Sequence, residues 1–484
     1  MIRRIVLICV FFVLFLVPAI LLAFVFRSPV FPAVWPSLLF FSFSLAALGT
    51  AVAFLIGLPA SFCAAGDSFF ARLLFATALV PFFLPISIGS VLIYQVFQDF
   101  SALFSIEARG SFVGLVLAHG FYEAPIVIFY LSLALRGIPS AYLVQMQEDG
   151  LSVFRQCLFC LRMIGKQIFQ AAAIVFLYIF QSTALVMNIG LGRYETLESS
   201  ILLSFGQRAD FSSGLGLSII QALFLWLIFS SFYARSDVRF SMAQDKQICP
   251  VPVCAASRVT SVLFLVFIIY WLSPLFIRGW QGISQLYQVR ALFPLYSSLA
   301  NSFLISVLAA GVAVFAAALW LFCRGGGQLV YSMAVSQAVY FSGVMICGFL
   351  WNIPSIFLAV WGLSLSLIPI MYFFLKASQA SEDQGIIASA RLDNAHGWVL
   401  WSTIYWPLWK ERYLNAFWKG VLIAFGNFPF AYIMAQNKIP MAAMTLGQLL
   451  NRRYIAAANA YSALVFVLML LPLLFLSRKS RKFI

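Results

Sequence analysis

The sequence predicts an all-α polytopic membrane protein of about twelve transmembrane helices, arranged as two parallel six-helix repeats. Three observations predict this. The composition is too apolar for a water-facing surface, long apolar runs recur along the chain, and one segment returns at an offset of 260 residues.

Composition comes first. Of 484 residues, 63% are hydrophobic and 9% charged. A soluble domain carries about a quarter charged residues, so lipid must replace water over much of this surface. The aromatic share of 17% fits lipid-facing Phe and interfacial Trp and Tyr. After the basic start Met1-Ile-Arg-Arg4, the stretch Ile5–Phe26 holds 22 uncharged residues. At about 1.5 Å per residue this crosses a core of about 30 Å. A secretory apolar region is shorter, about 7–15 residues, so a retained first span is expected.

The remaining runs place spans at 4–26, 38–64, 73–98, 111–135, 171–191, 214–234, 259–277, 297–323, 328–350, 353–375, 415–435 and 457–476. An even number puts both termini on one side. With that side cytoplasmic, 21 of the 30 Lys and Arg residues lie inside and nine outside, as the positive-inside rule requires. The net charge of +15 is then a topology signal with some attraction for anionic membrane lipid; it calls for no nucleic acid. The expected location is a bacterial inner membrane.

The repeat is read from Ser42-Phe43 to Phe62-Cys63 and from Ser302-Phe303 to Phe322-Cys323, ungapped. Small residues fill both runs (Ala46, Ala47, Gly49, Ala51 and Ala53; Ser306, Ala309, Ala310, Gly311 and Ala313), which lets membrane helices approach closely. In each half a long inner loop precedes the fifth span, at 136–170 and 376–414. Each half also has a Thr-Leu pair in its last outer loop, Thr196-Leu197 and Thr445-Leu446. Six spans per half keep the halves parallel. The expected organisation is a first span and outer loop (1–36), a first repeat (37–236), a polar linker (237–258), a second first-span unit (259–296), a second repeat (297–476) and a basic tail (477–484).

The two long loops carry the family signal. One reads Val144-Gln-Met146-Gln-Glu148-Asp149-Gly150, with Phe154 beyond. The other reads Ala388-Ser-Ala390-Arg391-Leu-Asp393-Asn394, then Trp398 and, 13 residues after Asn394, Pro407. Both resemble the coupling loop of type I binding-protein-dependent ABC importer permeases, whose pattern is Glu-Ala-Ala, three residues, Gly, and a Pro thirteen residues on. Val144 and Ala388 stand where the family has Glu. Met163 replaces the first Pro, and Asn394 replaces the second Gly. Glu148 and Asp393, one turn further on, offer substitute charges. The stretch from Leu191-Gly192 to Thr196-Leu197-Glu198 resembles that of fused ferric-iron and thiamine permeases.

The resemblance implies the permease subunit of an ATP-driven importer. It would carry a small solute, such as thiamine or ferric iron, delivered by a periplasmic substrate-binding protein. Two ABC ATPase subunits would seat on the loops around Gly150 and Asn394. A short amphipathic helix with an aromatic anchor, here Phe154 or Trp398, is suited to a partner's groove.

His119 and Glu123 lie four residues apart on one helix face in the fourth span. Two readings stand: a lining of the solute path, or a pair satisfied within the bundle. Asn301, Asn352 and Asn427 are lesser candidates, each able to hydrogen-bond between helices. Cys157-Leu-Phe-Cys160 and the Cys249/Cys254 pair lack the further ligands of a zinc site, so no metal or cofactor is expected. Gly325-Gly-Gly327 lacks the lysine of a phosphate loop, and no catalytic set can be assembled. The chain is therefore read as a non-enzymatic transporter, with ATP hydrolysis on a separate polypeptide. An ion-coupled secondary carrier also has six plus six spans and stays open as the alternative. Its short, strongly basic loop after the second span is not matched by 65–72, which holds one basic residue.

Overall fold

The computed structural model describes residues 28–66, 68–104, 110–190, 192–233, 251–322, 337–377, 386, 389–390, 392–393, 399, 401–436 and 439–480. The expected first span (4–26), the linker up to 250 and the tail from 481 lie outside the described residues. Almost every described residue is helical, and no strand occurs among them.

The described chain starts with α1 (Trp35–Ala64). The expected third span divides into α2 (Phe69–Phe83) and α3 (Ile86–Phe104). Pro85 causes the break: it disfavours helical geometry in the residue before it, and Leu84 is extended, with ψ 129°. Ser68 caps α2 by accepting from Ala71 N at 3.1 Å. Ser111 caps α4 (Phe112–Arg136) by accepting from Gly114 N at 3.0 Å. Two short helices, α5 (Ser140–Glu148) and α6 (Val153–Met163), lead into α7 (Gly165–Phe180), which leaves α6 at 70°. Then come α8 (Ala184–Ile189), α9 (Leu197–Gly206) and α10 (Phe211–Tyr233).

The C-terminal part holds α11 (Ala255–Gln281), α12 (Ile283–Val289), α13 (Leu295–Phe322), α14 (Gln337–Trp351) and α15 (Ser355–Ala377). A π-helical turn at Trp401–Tyr405 opens into α16 (Trp406–Phe425). The chain continues with α17 (Phe428–Gln436), α18 (Ala442–Asn451) and α19 (Ile455–Ser480). Six helices among the described residues are long and apolar enough to cross a membrane: α1, α4, α10, α11, α13 and α15. The number rises to eight if the bent pairs α6–α7 and α16–α17 each form one span.

Helix α4 anchors the N-terminal part. It packs along α1 and also meets α2, α7 and α8. Glycine permits the close approach of α1: a Cβ on Gly57 would stand 2.6 Å from Val127 Cβ and 2.9 Å from the Ala124 carbonyl. At the other end of α4, Arg136 Nη2 donates to the Ala64 carbonyl at 2.9 Å. Its guanidinium lies 5.2 Å from the Phe75 ring centre. One side chain thus serves the free C-terminal carbonyls of α1 and holds α2 beside them.

The C-terminal part has the same contact pattern around α13. Helix α13 packs on α15 and α16, as α1 packs on α4 and α7. At the offset of 260, six pairs are buried in both helices: Ser42/Ser302, Leu45/Ile305, Ala46/Ser306, Gly49/Ala309, Ala53/Ala313 and Gly57/Ala317. Leu48/Leu308 and Leu55/Phe315 are exposed in both. The two parts meet most extensively where α11 packs on α1, with Phe121 of α4 against Phe267 and Trp271 of α11. They also meet where α3 packs on α11, α18 and α19, where α2 packs on α11 and α16, and where α9 packs on α14 and α17.

Candidate functional site

The first long loop is built around one left-handed glycine. Gly150 has φ +66° and nothing within 4 Å of where a Cβ would sit. Gly150 N donates to the Gln147 carbonyl at 3.0 Å and Leu151 N to the Met146 carbonyl at 3.1 Å. These are the two bonds of a Schellman stop, and they end α5 and turn the chain into α6. Met146 points into the protein, whereas Glu148 and Asp149 are exposed. Phe154, 74% exposed, stands on the open face of α6 near Val153 and Leu158. The opposite face of α6 is fixed by buried Gln156, Cys157 and Cys160. The Cys157 thiol donates to the Pro252 carbonyl at 3.6 Å, so the last linker residues brace this helix.

In the second loop, Arg391, Asn394 and Trp398 lie outside the described residues. Ala390 is buried, and Asp393 is exposed in a helical turn in which its N–H donates to the Ser389 carbonyl at 3.0 Å. Leu392 is 87% exposed. Pro407 is exposed in the first turn of α16, where proline's missing N–H is tolerated.

His119 and Glu123 are both buried in α4, but the structure does not join them. Both ring nitrogens of His119 lack a hydrogen-bond partner, and the His119 Cβ packs 3.3 Å from where a Cβ on Gly49 would sit. The asparagines do bond between segments. Asn301 donates to the Pro440 carbonyl at 3.2 Å. Asn427, at the break between α16 and α17, donates to Gln337 Oε1 at 3.0 Å and accepts from Phe430 N at 2.9 Å. Asn352 forms the turn between α14 and α15 with φ +50°, a conformation asparagine tolerates better than most residues.

The polar groups most tightly organised in the structure are ones the sequence did not single out. Gln95 and Asp99 lie one turn apart on α3. The Gln95 amide donates to Asn459 Oδ1 of α19, and both side chains are buried. Arg278 of α11 reaches both carboxylate oxygens of Asp99, at 2.9 and 3.0 Å. It also donates to Gln95 Oε1 at 3.3 Å. The Tyr270 hydroxyl donates to Asp99 at 3.0 Å. Elsewhere, Gln221 of α10 donates to the buried carboxylate of Glu198 on α9. Asn188 of α8 donates to Ser90 of α3 at 2.7 Å.

A second pairing is repeated across the chain. Leu197 N, in the first turn of α9, donates to Ser42 Oγ at 2.8 Å. Ala442 N, in the first turn of α18, donates to Ser302 Oγ at 2.8 Å. Leu197 thus corresponds to Ala442, so the two Thr-Leu pairs are not equivalent. Thr196 caps α9 through a reciprocal bond with Ser199, whereas Thr445 lies inside α18 and donates to the Met441 carbonyl at 3.2 Å.

A shallow apolar crevice opens between α13, α16 and α19, lined by Phe303, Val421, Leu422, Phe425, Leu468 and Met469. It presents no polar group to a solute. Comparison with protein-family models, with curated proteins and with solved structures finds no match to this chain.

Proposed function

We propose that this chain is the fused two-half permease of an ATP-driven ABC importer in a bacterial inner membrane, with both termini cytoplasmic. In this reading residues 37–236 and 297–476 form two parallel repeats joined by the linker 237–258. Each half contributes six spans, with 4–26 and α11 as the first of each. The solute path runs along the seam between the halves. A periplasmic binding protein delivers a small solute from outside, with thiamine or ferric iron as the first compounds to test. The chain performs no covalent chemistry; it alternates between two packings driven by two ATPase subunits.

The observation that carries the ATPase partner is the loop at Gly150. Its left-handed stop turns α5 into α6 and leaves Phe154 uncovered, while the opposite face of α6 is buried. A helix braced on one side with an aromatic on the other suits a groove in a soluble partner. The two-half organisation draws support from the matched burial of α1 and α13 and from the two serine bonds at 2.8 Å. An ion-coupled carrier is the second reading, and the carboxyl group of Glu123 buried in α4 favours it.

The test is affinity capture of the tagged chain from detergent-solubilised native membranes, with bound proteins identified by mass spectrometry. The expected result is recovery of a nucleotide-binding ATPase subunit, lost when Phe154→Asp and Trp398→Asp are combined. Absence of an ATPase, under conditions that retain the subunits of a control importer, would remove the importer reading and leave the ion-coupled carrier.

A further inference from the structure

The seam between the two parts of the chain carries an ion pair whose members come from distant sequence. Asp99 is the one acidic side chain on α3, and Arg278 is the cation at the far end of α11. Each reaches the other across the seam at 2.9 Å. Both are partly exposed, 40% for Arg278 and 31% for Asp99, at a level that the proposed orientation sets at the outer water. A pair in water's reach is cheap to separate. One turn back along α3, Gln95 and Asn459 make a contact that is fully buried. Arg278 also donates to Gln95, so the wet pair and the dry pair form one connected unit of α3, α11 and α19.

We infer that Asp99 and Arg278, backed by Gln95 and Asn459, form a latch that closes the outer end of the seam and opens when the two halves separate. The inference rests on the proposed two-half reading and its orientation, in which α3 and α11 both end on the outer side. The division of labour follows from burial. The solvated ion pair sets how readily the seam opens, and the buried amides fix its register when closed. Tyr270, two turns before Arg278 on α11, holds the Asp99 carboxylate from below.

Ser462 supplies a reporter. It lies three residues after Asn459 on α19, is fully buried, and its hydroxyl has no partner. Ser462→Cys therefore changes little and places a thiol behind the latch. The full-length chain is expressed in membranes, and a membrane-impermeant maleimide is added to spheroplasts and, separately, to inside-out vesicles. The chain with Ser462 intact corrects for native cysteines. Labelling from outside should be slow in the reporter alone. It should be roughly tenfold faster with Asp99→Arg or Arg278→Asp, because like charges then face each other. It should return to the slow rate in the double swap, which also shows that the single reversals had not unfolded the protein. Asp99→Asn, which removes attraction without adding repulsion, should fall between.

Equal rates in all variants, or a double swap that stays fast, would overturn the latch. Acceleration confined to inside-out vesicles would overturn its outer placement. ATPase capture tests the importer reading and labelling tests the latch, so the two can fail separately.

Discussion

The contact of α4 with α1 and the contact of α3 with α11 and α19 join helices by opposite means. The first is dry and close. Gly57 and Gly120 let the backbones approach, and the buried His119 between them finds no hydrogen-bond partner. The second is polar. Gln95, Asp99, Tyr270, Arg278 and Asn459 satisfy one another across three helices. In a membrane there is little hydrophobic drive between helices, so close packing and interhelical hydrogen bonds are the two ways to hold them. The first resists opening because any movement loses many contacts at once. The second can break at a few bonds and re-form. On the proposed two-half reading the first lies within a half and the second between halves, where it adds a polar, separable contact to the apolar packing of α11 on α1 and α4.

The comparison breaks most sharply at Gly120. A side chain there would run into Val52 of α1. Gly120→Val should cost about 3 kcal/mol, seen as loss of the monodisperse species when detergent-solubilised protein is heated before gel filtration. Retention of the parent's thermal midpoint would show that the α1–α4 contact is looser than its geometry. The seam should be less costly to damage. Gln95→Leu or Asn459→Leu leaves a buried amide unpaired and should cost about 1–2 kcal/mol each. The double replacement should cost less than the sum of the two, because it removes both unmatched groups. Additive costs in the same thermal assay would mean that the two amides do not depend on each other.

Why one contact was legible in the sequence and the other was not follows from the same contrast. The dry contact leaves a local trace. Small residues recur along α1 and again 260 residues later in α13. Ala46, Gly49 and Ala53 and their counterparts Ser306, Ala309 and Ala313 are buried, whereas Ala51 is exposed and Ala47 and Gly311 are half-buried. Glycine in a turn leaves a trace too, and Gly150 is left-handed in the loop where its position marks a stop. The seam leaves no such trace. Gln95 and Asn459 are 364 residues apart, and nothing local to either names the other. Arg278 counts in the sequence only as an outer charge, because its partner on α3 is defined by topology. Local spacing also misleads at His119 and Glu123, where a shared helix face does not produce a bond. The same limit applies to the Thr-Leu pairs, whose likeness in sequence hides different positions in α9 and α18. The break at Pro85 within the expected span 73–98 was readable from proline alone, had the apolar run not been counted as one helix.

His119 tests whether the dry contact tolerates its one polar intruder for a reason. Two buried nitrogens without partners are a cost that folding alone does not explain. His119→Leu should therefore raise stability by about 1 kcal/mol in the thermal assay. On the proposed transport reading, a rise in stability with a fall in solute uptake would place the imidazole in the transport cycle. If stability falls, the ring's packing outweighs its unmatched nitrogens.

The smallest expected effect bears on the repeat itself. Ser42 and Ser302 each accept a hydrogen bond from the first turn of a short buried helix, both at 2.8 Å. Removing either hydroxyl leaves one backbone N–H unpaired in α9 or α18. Interhelical hydrogen bonds in membrane proteins average about 0.6 kcal/mol, so Ser42→Ala and Ser302→Ala should each lower stability by about that amount. Because the two bonds lie in different parts of the chain, the double variant should show the sum. Equal and additive losses would mean that the two serine bonds are equivalent joints, as the proposed repeat requires. A loss at one serine only would mean that the other helix is held by different contacts. The candidates for α9 are the Glu198–Gln221 bond and the Thr196 cap; for α18 the candidate is the Asn301 bond to the Pro440 carbonyl just before it. If the Glu198 bond and the Thr196 cap hold α9 more firmly than the Asn301 bond holds α18, the serine bond is the more redundant one in α9, and Ser302→Ala would be the more damaging of the two.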